Sequence, residues 1–412
     1  MSILTTQIDR HLAYVTQKTQ RFHKRASHKR YISKFTYVVD YASRGVHYVW
    51  RNYRYLSVRK VLNIGLSKVE YKLKREKLYS LPYKFKIEST NICNTQCQLC
   101  PTGIGLKGRC KGKLDLQTYK GWISNLKWHM LDLDLSMWGD PLIVPEIYDM
   151  IAYARKNGIW TYISSNLHAF KIKPGRNESK DQATKLIESG LELLTCSLHA
   201  ATQETYEQYQ PGKKLDEVIT KIKHIIATKK RLNSKYPQIQ LNYVVTKYNE
   251  HEIDAFKALA KELGCNPVIN KASYNTRFLG QDKNLQSLGL AKDILAKKTT
   301  DHIESWMPSN KEYVLESYVD LANGSSKHSN YNGKKQYDCS WPWTSCVVNW
   351  DGSISTCCGS FDPKHDFGKI DSDQFRRLWN SPKYRSARRS FKSTVTENVK
   401  DNPCIHCPGY ML

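Results

Sequence analysis

The sequence predicts an α/β fold: a partial (β/α)6, TIM-like barrel, with a basic helical extension before it and a small cysteine-rich domain after it. From residue 83 onward, six short apolar runs of strand length alternate with amphipathic helical segments over short connections. Repeated βα units imply a parallel sheet, and six are too few to close an eight-stranded barrel, so an open one is expected. Three cysteines, at 93, 97 and 100, directly follow the first run. In barrels of this kind the chemistry gathers at the C-terminal ends of the strands.

The six runs are YKFKIES (83–89), LDLDLSM (131–137), IWTYISS (159–165), LELLTCSL (191–198), IQLNYVVT (239–246) and PVINKAS (267–273). The helical segments include IYDMIAYARK (147–156), LDEVITKIKHIIATKKRL (215–232) and EIDAFKALAKEL (252–263). Their apolar residues recur at helical spacing, whereas the strand runs are short and bounded by turn residues. The barrel core is therefore assigned to 81–273. Residues 274–338 are polar and weakly patterned, and ANGSSKHSNYNGKKQ (322–336) reads as a linker. Residues 339–412 form the cysteine-rich domain.

The chain has 412 residues, 40% of them hydrophobic, enough for a sizeable core. It shows no apolar run of membrane-spanning length, and its first residues lack the apolar stretch of a signal peptide. A cytoplasmic location is expected, and twelve cysteines there read as metal ligands or core residues rather than disulfides. The formal net charge is +26, and residues 1–80 hold 18 Lys and Arg against 4 acidic residues. Such a block suits anionic lipid or nucleic acid, or is a solvated extension. Val58, Val61, Leu62, Leu66, Val69 and Leu73 recur there at helical spacing, interleaved with Arg59, Lys60, Lys68 and Lys72, and Trp50, Tyr53 and Tyr55 lie upstream. A basic amphipathic helix with aromatics is what an interfacial anchor needs, and it would seat the chain peripherally on the inner face of the membrane. A helix docked on a domain has the same pattern.

Three cysteines are one ligand short of a structural zinc site, unless Cys110 or a histidine completes it. They also suit a 4Fe–4S cluster with one iron left open. The stretch ESTNICNTQCQLCP resembles the Cys-x3-Cys-x2-Cys signature of the radical S-adenosylmethionine (radical SAM) superfamily, and the resemblance runs from about Tyr83 to Cys407. It implies that Cys93, Cys97 and Cys100 hold a 4Fe–4S cluster whose open iron chelates SAM. Reductive cleavage of SAM then yields a 5′-deoxyadenosyl radical that takes hydrogen from a substrate. The cofactor carries this chemistry, and the protein supplies position.

The same resemblance assigns further residues. In MWGDP (137–141), Gly139 and Asp140 stand where relatives have a Gly-Gly-Glu-like motif contacting the methionine amine, with a shorter acid here. In SSN (164–166), Ser164 and Asn166 match a Thr/Ser-Asn pair near the cofactor. Ser197 and, after the fifth strand, Asn249 match positions near SAM. His199 replaces the aspartate of a Ser-Ile-Asp-Gly pattern and is the candidate catalytic residue at the barrel mouth. Gln210 stands where relatives often have an arginine.

The tail segment CSWPWTSCVVNWDGSISTCC (339–358) resembles the SPASM and twitch auxiliary-cluster domains of this superfamily, and WDGSI reads as a hairpin with an Asp-Gly turn. The resemblance implies one auxiliary 4Fe–4S cluster on Cys339, Cys357, Cys404 and Cys407. Cys358 is able to replace Cys357, and zinc fits four thiolates equally well. Cys346 lacks a matching set. Cys110, Cys196 and Cys265 are read as having no metal role.

A fully ligated second cluster suits electron transfer, which points to dehydrogenation of a small-molecule, sugar-like or lipid-linked substrate. The alternative is modification of a peptide. Maturases of that group often begin with a strand-rich precursor-binding domain, whereas residues 1–80 read as helical and basic. A basic zinc- and nucleic-acid-binding protein is the reading from another class. The chain shows no zinc-finger helix pattern or aromatic RNA-binding strand, which argues against nucleic acid as a partner. The resemblance also implies a ferredoxin or flavodoxin as electron donor.

Overall fold

The computed structural model describes residues 52–105, 108–176, 178–271, 301–302, 304–314, 339–371, 374–392 and 402–404. Most of the expected basic extension, nearly all of the linker, and Cys407 lie outside these residues. The chain divides into two units, 1–56 and 57–412. Of the first, the described part is a 3-10 turn at Tyr53–Tyr55.

The second unit begins with helix α1 (Val58–Lys72), whose N-terminus is closed by the Ser57 side chain accepting from the Lys60 N–H. The barrel follows as β1 (Lys84–Ile87), α2 (Leu116–Leu126), β2 (Asp132–Asp134), α3 (Ile147–Lys156), β3 (Trp160–Ser165), α4 (Gln182–Glu188), β4 (Leu193–Ser197), α5 (Gln203–Tyr209), α6 (Leu215–Arg231), β5 (Gln238–Val244), α7 (Ile253–Glu262) and β6 (Asn266–Asn270). All six expected strands are present, in order and parallel to their neighbours. Side-chain caps start the helices where the sequence supplies them: Asp115, Asp181 and Thr202 accept from the N–H groups of Thr118, Thr184 and Thr205.

The tail contributes α8 (Trp341–Thr344), β7 (Ser345–Val348), β8 (Ile354–Ser355), α9 (Phe375–Trp379) and α10 (Pro382–Arg389). β7 and β8 form the expected hairpin, and Gly352 in its turn sits at φ +81°, where glycine is favoured. β7 also pairs in parallel with β1, Lys84 opposite Ser345 and Ile87 opposite Val348. One eight-stranded sheet, β6-β5-β4-β3-β2-β1-β7-β8, therefore runs through barrel and tail. This join was not anticipated from the sequence. Ser345, Cys346, Val347 and Val348 are all buried, as befits a strand covered on both faces.

Strand alternation separates two faces. Phe85, Leu133, Ile163, Leu194, Leu241 and Tyr243 join Ile123, Met150, Leu186, Ile222 and Phe256 of the helices in one hydrophobic core. The alternate residues face the opposite, concave side, and these are polar: Lys86 lies beside Asp134, Asp134 beside Tyr162, Ser164 beside Thr195 and Ser197 beside Asn242.

Arg388 of α10 ties the tail down. It is fully buried and donates to the carbonyls of Pro342, Glu76 and Trp379 at 2.8–2.9 Å, with its guanidinium 4.6 Å from the Trp379 ring centre. Arg388→Met keeps the bulk and orphans three carbonyls. Each buried orphan costs about 1–3 kcal/mol, so urea unfolding of the tail should shift by at least about 3 kcal/mol. An unchanged midpoint would remove Arg388 from this role.

Candidate functional site

The cysteine loop leaves the C-terminal end of β1 and is pinned at several points. Gly139, beyond β2, lies so close that a Cβ there would come within 2.4 Å of the Thr90 carbonyl and 2.5 Å of that of Ile92. The Asp140 N–H donates to the Ile92 carbonyl at 2.9 Å. A Cβ on Gly103 would meet the Cys97 carbonyl at 2.3 Å, so the loop also closes back on itself. From α5, the Tyr209 carbonyl accepts from the Gln98 N–H at 3.2 Å.

The three thiols lie within electrostatic reach of one another. Thr95 Oγ1 is 3.2 Å from Cys93 Sγ and 3.5 Å from Cys97 Sγ, and Asn166 Nδ2 donates to Cys93 Sγ at 3.6 Å and to Asn94 Oδ1 at 3.0 Å. Burial, with Cys100 and Cys93 nearby, pushes Cys97 up to about 12, and burial raises Cys100. A metal centre reverses that preference, because its thiolate ligands are held deprotonated. Among the described residues no three His, Cys, Asp or Glu converge as a single ion requires. A cubane binds each thiolate at a separate iron, and three half-buried thiols in one braced loop fit it.

Asp140 and Asn166 sit beside this loop. The buried Asp140 carboxylate accepts from the Leu142 N–H, the Ser165 hydroxyl and the Asn166 N–H at 2.8–3.0 Å. It thereby holds the end of β2 against the end of β3. Ser164 and Ser197 meet on the concave face with hydroxyls 3.3 Å apart. Asn249 follows β5 and is bonded to the backbone at the end of β4. Its Nδ2 donates to the carbonyls of His199 (2.7 Å) and Val244 (3.0 Å), and its Oδ1 accepts from the Thr246 N–H (2.6 Å). His199 is in the left-handed region at φ +60° and only 7% exposed. Its Nδ1 accepts from the Val244 N–H at 3.0 Å, and its ring lies 5.1 Å from that of Tyr209. Burial lowers its pKa to about 4, so it is neutral at pH 7. These contacts make His199 and Asn249 a clamp across the ends of β4 and β5.

Tyr206, His168, Lys86, Asp134 and Tyr162 were not singled out from the sequence. The Tyr206 hydroxyl donates to Gln210 Oε1 (3.3 Å) and pairs with His168 Nε2 (2.8 Å), while Gln210 Nε2 donates to the Ser197 carbonyl (3.5 Å). On the concave face, Lys86 Nζ is ion-paired with Asp134, and Tyr162 is the neighbour of Asp134 on the adjacent strand. Burial alone would lower the Lys86 pKa, but Asp134, Cys358 and Asp132 more than offset it and hold Lys86 charged. The signal was present: YKFKIES and LDLDLSM place charges at the alternate positions of strands that a parallel barrel usually fills with apolar residues.

The tail is bolted to the segment following the cysteine loop. Arg109 makes a two-pronged contact with Asp366 and donates to Ser353 Oγ at 2.6 Å, and Trp350 Nε1 donates to the Cys110 carbonyl at 3.1 Å. Cys339 precedes α8, and Cys357 and Cys358 follow β8. Cys404 is buried, its N–H donating to Asn402 Oδ1 at 3.0 Å. The fourth expected ligand, Cys407, lies outside the described residues. Cys358 is the tail thiol that interacts with Lys86 and Asp134. Cys346 lies against the Tyr384 hydroxyl, and Cys196 and Cys265 are in the barrel core.

Two predictions follow from this geometry. Gly139→Ala forces the Thr90–Ile92 backbone away, and 5′-deoxyadenosine formation should drop about 100-fold, with iron lost from the first site, as expected when a reactive centre is misplaced by about 1 Å. Glu88, which accepts from the Trp138 and Trp350 N–H groups, has its pKa raised by burial from 4.5 to about 7. The folded chain therefore binds more protons than the unfolded chain between these values, and stability falls as pH rises from about 4.5 to about 7, by about 3 kcal/mol in all, then levels off. Denaturant melts of wild type and Glu88→Gln across that range should show the Glu88 contribution vanish in the variant.

Comparisons with known proteins agree with this arrangement. A family model for the radical SAM superfamily matches residues 87–260, and one for the SPASM iron-sulfur cluster-binding domain matches residues 339–408. A probable GTP 3′,8-cyclase from Saccharolobus islandicus is 25% identical over 184 residues, 44% of this chain and 54% of that protein. The chain thus spans about half the length of the first curated relatives it matches. The mycofactocin maturase MftC of Mycobacterium ulcerans is 22% identical over 73% of this chain and 75% of its own. Among solved structures, Streptococcus suis SuiB bound to S-adenosylmethionine superposes with a TM-score of 0.53 at 15% identity, over 96% of this chain and 83% of that one. With the cysteine loop at the head of the barrel and the second cysteine-rich region on the same sheet, the chain belongs to the radical SAM superfamily and carries a C-terminal SPASM iron–sulfur domain.

Proposed function

We propose that this radical SAM enzyme dehydrogenates a small, polar, hydroxyl-bearing substrate, sugar-like or lipid-linked, and draws electrons from a ferredoxin- or flavodoxin-type donor. The supporting observation is the concave face of the barrel, where Lys86, Asp134, Tyr162, Ser164, Ser197 and Asn242 replace the usual apolar filling. Such a surface offers a polyol charge and hydroxyl partners and offers an apolar side chain little.

Converting an alcohol to a carbonyl removes one hydrogen atom from carbon, one proton from oxygen and one electron. When bound, SAM and the cluster that Cys93, Cys97 and Cys100 would hold would supply hydrogen abstraction, and the auxiliary 4Fe–4S cluster that Cys339, Cys357, Cys404 and Cys407 would hold would serve as the electron acceptor. The chain's own residues do the rest. Lys86 Nζ orients the substrate oxygen, and the Asp134 carboxylate, steadied by the Ser136 N–H at 2.8 Å, takes the hydroxyl proton. Gly139 and Asp140 brace the cofactor end, and Asn166 steadies Cys93. Ser164 and Ser197 lie on the concave face at the C-terminal ends of β3 and β4.

Peptide modification is the second reading. It is favoured by the likeness to SuiB, which has also been solved bound to its precursor peptide SuiA (TM-score 0.52, 17% identity), and by the match to a maturase.

Anaerobic assays with SAM and dithionite separate these readings by scoring 5′-deoxyadenosine and product mass. Replacing Cys93, Cys97 and Cys100 together by Ala should abolish SAM cleavage. Asp134→Asn should still cleave SAM but form product about 100-fold more slowly, the usual range for a lost general base. Product at the wild-type ratio to 5′-deoxyadenosine in Asp134→Asn would overturn the role given to this carboxylate. A mass change on a peptide, with none on polyols, would favour the second reading.

A further inference from the structure

Helix α1 is packed with its polar side inward. Lys60 and Ser67 are buried, and they donate to the carbonyls of Gly158 (2.6 Å) and Trp343 (2.9 Å). Glu70, also buried, accepts from the Tyr79 N–H and from the Ser80 N–H and hydroxyl at 2.5–3.1 Å. Asn63 exchanges two hydrogen bonds with the Leu81 backbone. Burial lowers the Lys60 pKa to about 8.

The apolar side is left in solvent. Six of the nine large hydrophobic side chains exposed among the described residues are Val58, Val61, Leu62, Leu66, Val69 and Leu73, between 39% and 78% exposed. At 100° per residue they occupy one continuous face. Trp128 adds to it from the end of α2. It is 54% exposed, with Arg59 5.7 Å and Lys127 5.1 Å from its ring centre.

The charges around this face have one sign. Arg59, Lys68 and Lys72 are exposed on α1. The two acids of this region point elsewhere: Glu70 is buried, and Glu76 is ion-paired with Arg389 and Lys392. A second copy of the chain would bring these cations against its own, which costs rather than gains. An apolar helix face flanked by Lys and Arg, with a Trp at its edge, matches an anionic bilayer surface in both hydrophobicity and charge.

We propose that the outward face of α1, with Trp128, is a docking surface for anionic lipid bilayer. The acyl region receives the Val and Leu side chains, and the headgroup layer receives Arg59, Lys68, Lys72 and Lys127. This differs from attraction by the basic N-terminal segment alone, because it requires specific apolar side chains on a folded helix.

The test uses the full chain, so that the N-terminal segment is the same throughout. Sedimentation with vesicles of phosphatidylcholine and phosphatidylglycerol should exceed that with phosphatidylcholine alone and should weaken as salt rises. Combined Leu62→Ser, Leu66→Ser and Val69→Ser should raise the lipid needed for half-maximal binding about tenfold or more. Because these side chains face solvent, the melting temperature and 5′-deoxyadenosine formation should be retained. Arg59→Glu with Lys68→Glu and Lys72→Glu is a second variant that leaves the apolar face intact, and it should lose the preference for anionic vesicles. Wild-type binding by both variants overturns the proposal and leaves the N-terminal segment as the membrane contact. Absence of vesicle binding by wild type also overturns it. If light scattering then shows a dimer that the serine variant loses, the face belongs to a second copy.

Discussion

The Asp140 carboxylate is the constraint on which the reactive end of the barrel depends. It is buried, and burial raises its pKa; the Asn166 and Leu142 N–H groups and the Ser165 hydroxyl favour its charged form. Through them one side chain fixes the end of β2 to the end of β3, while its own N–H reaches back to the cysteine loop at Ile92. Asn166, held in this way, donates to Cys93 from outside the cysteine loop. A loop able to place three thiols around a cluster is a poor structure by itself, since it has little apolar surface to bury. Here its geometry is imposed by the sheet through a few hydrogen bonds and the close approach at Gly139.

The sequence pattern and the structure diverge in instructive places. Helix α3 was legible to the residue because Ile147, Met150, Ile151 and Ala154 face the core, the ordinary case in which periodicity and burial coincide. In α1 the periodicity was equally plain, but it says only which residues share a face. Which face turns inward was decided by the Gly158 and Trp343 carbonyls and by the backbone around Ser80 and Leu81, none of which a local pattern contains. At the site, cysteine spacing was readable because a cluster demands it. The inward bonds of His199 and Asn249 were not, since they depend on where β4 and β5 end relative to each other.

The two cysteine-rich regions are parts of one sheet rather than neighbours across a hinge. β7 lies directly against β1, and the Arg109 contact with Asp366 joins the segment after the cysteine loop to the segment after β8. Both partners are largely buried, so this contact is less weakened by solvent than a surface pair. Cys358 and Lys86 interact across the same junction, bringing a tail thiol to the polar side of the barrel. The charged lining is sustained because its members satisfy one another; an isolated lysine there would be costly.

The pairing of β1 with β7 has a consequence for how the chain is made. During synthesis β1 emerges early, whereas Ser345–Val348, which cover its second edge, emerge only after the other barrel strands. Until then a nascent sheet waits with an open flank, a template for pairing with the wrong strand. The cysteine loop, which follows β1, waits with it, its thiols in place before the last wall of their surroundings is built. Iron that arrives before Ser345–Val348 emerge therefore meets a partly open fold, and iron that lags behind the ribosome meets a closed sheet.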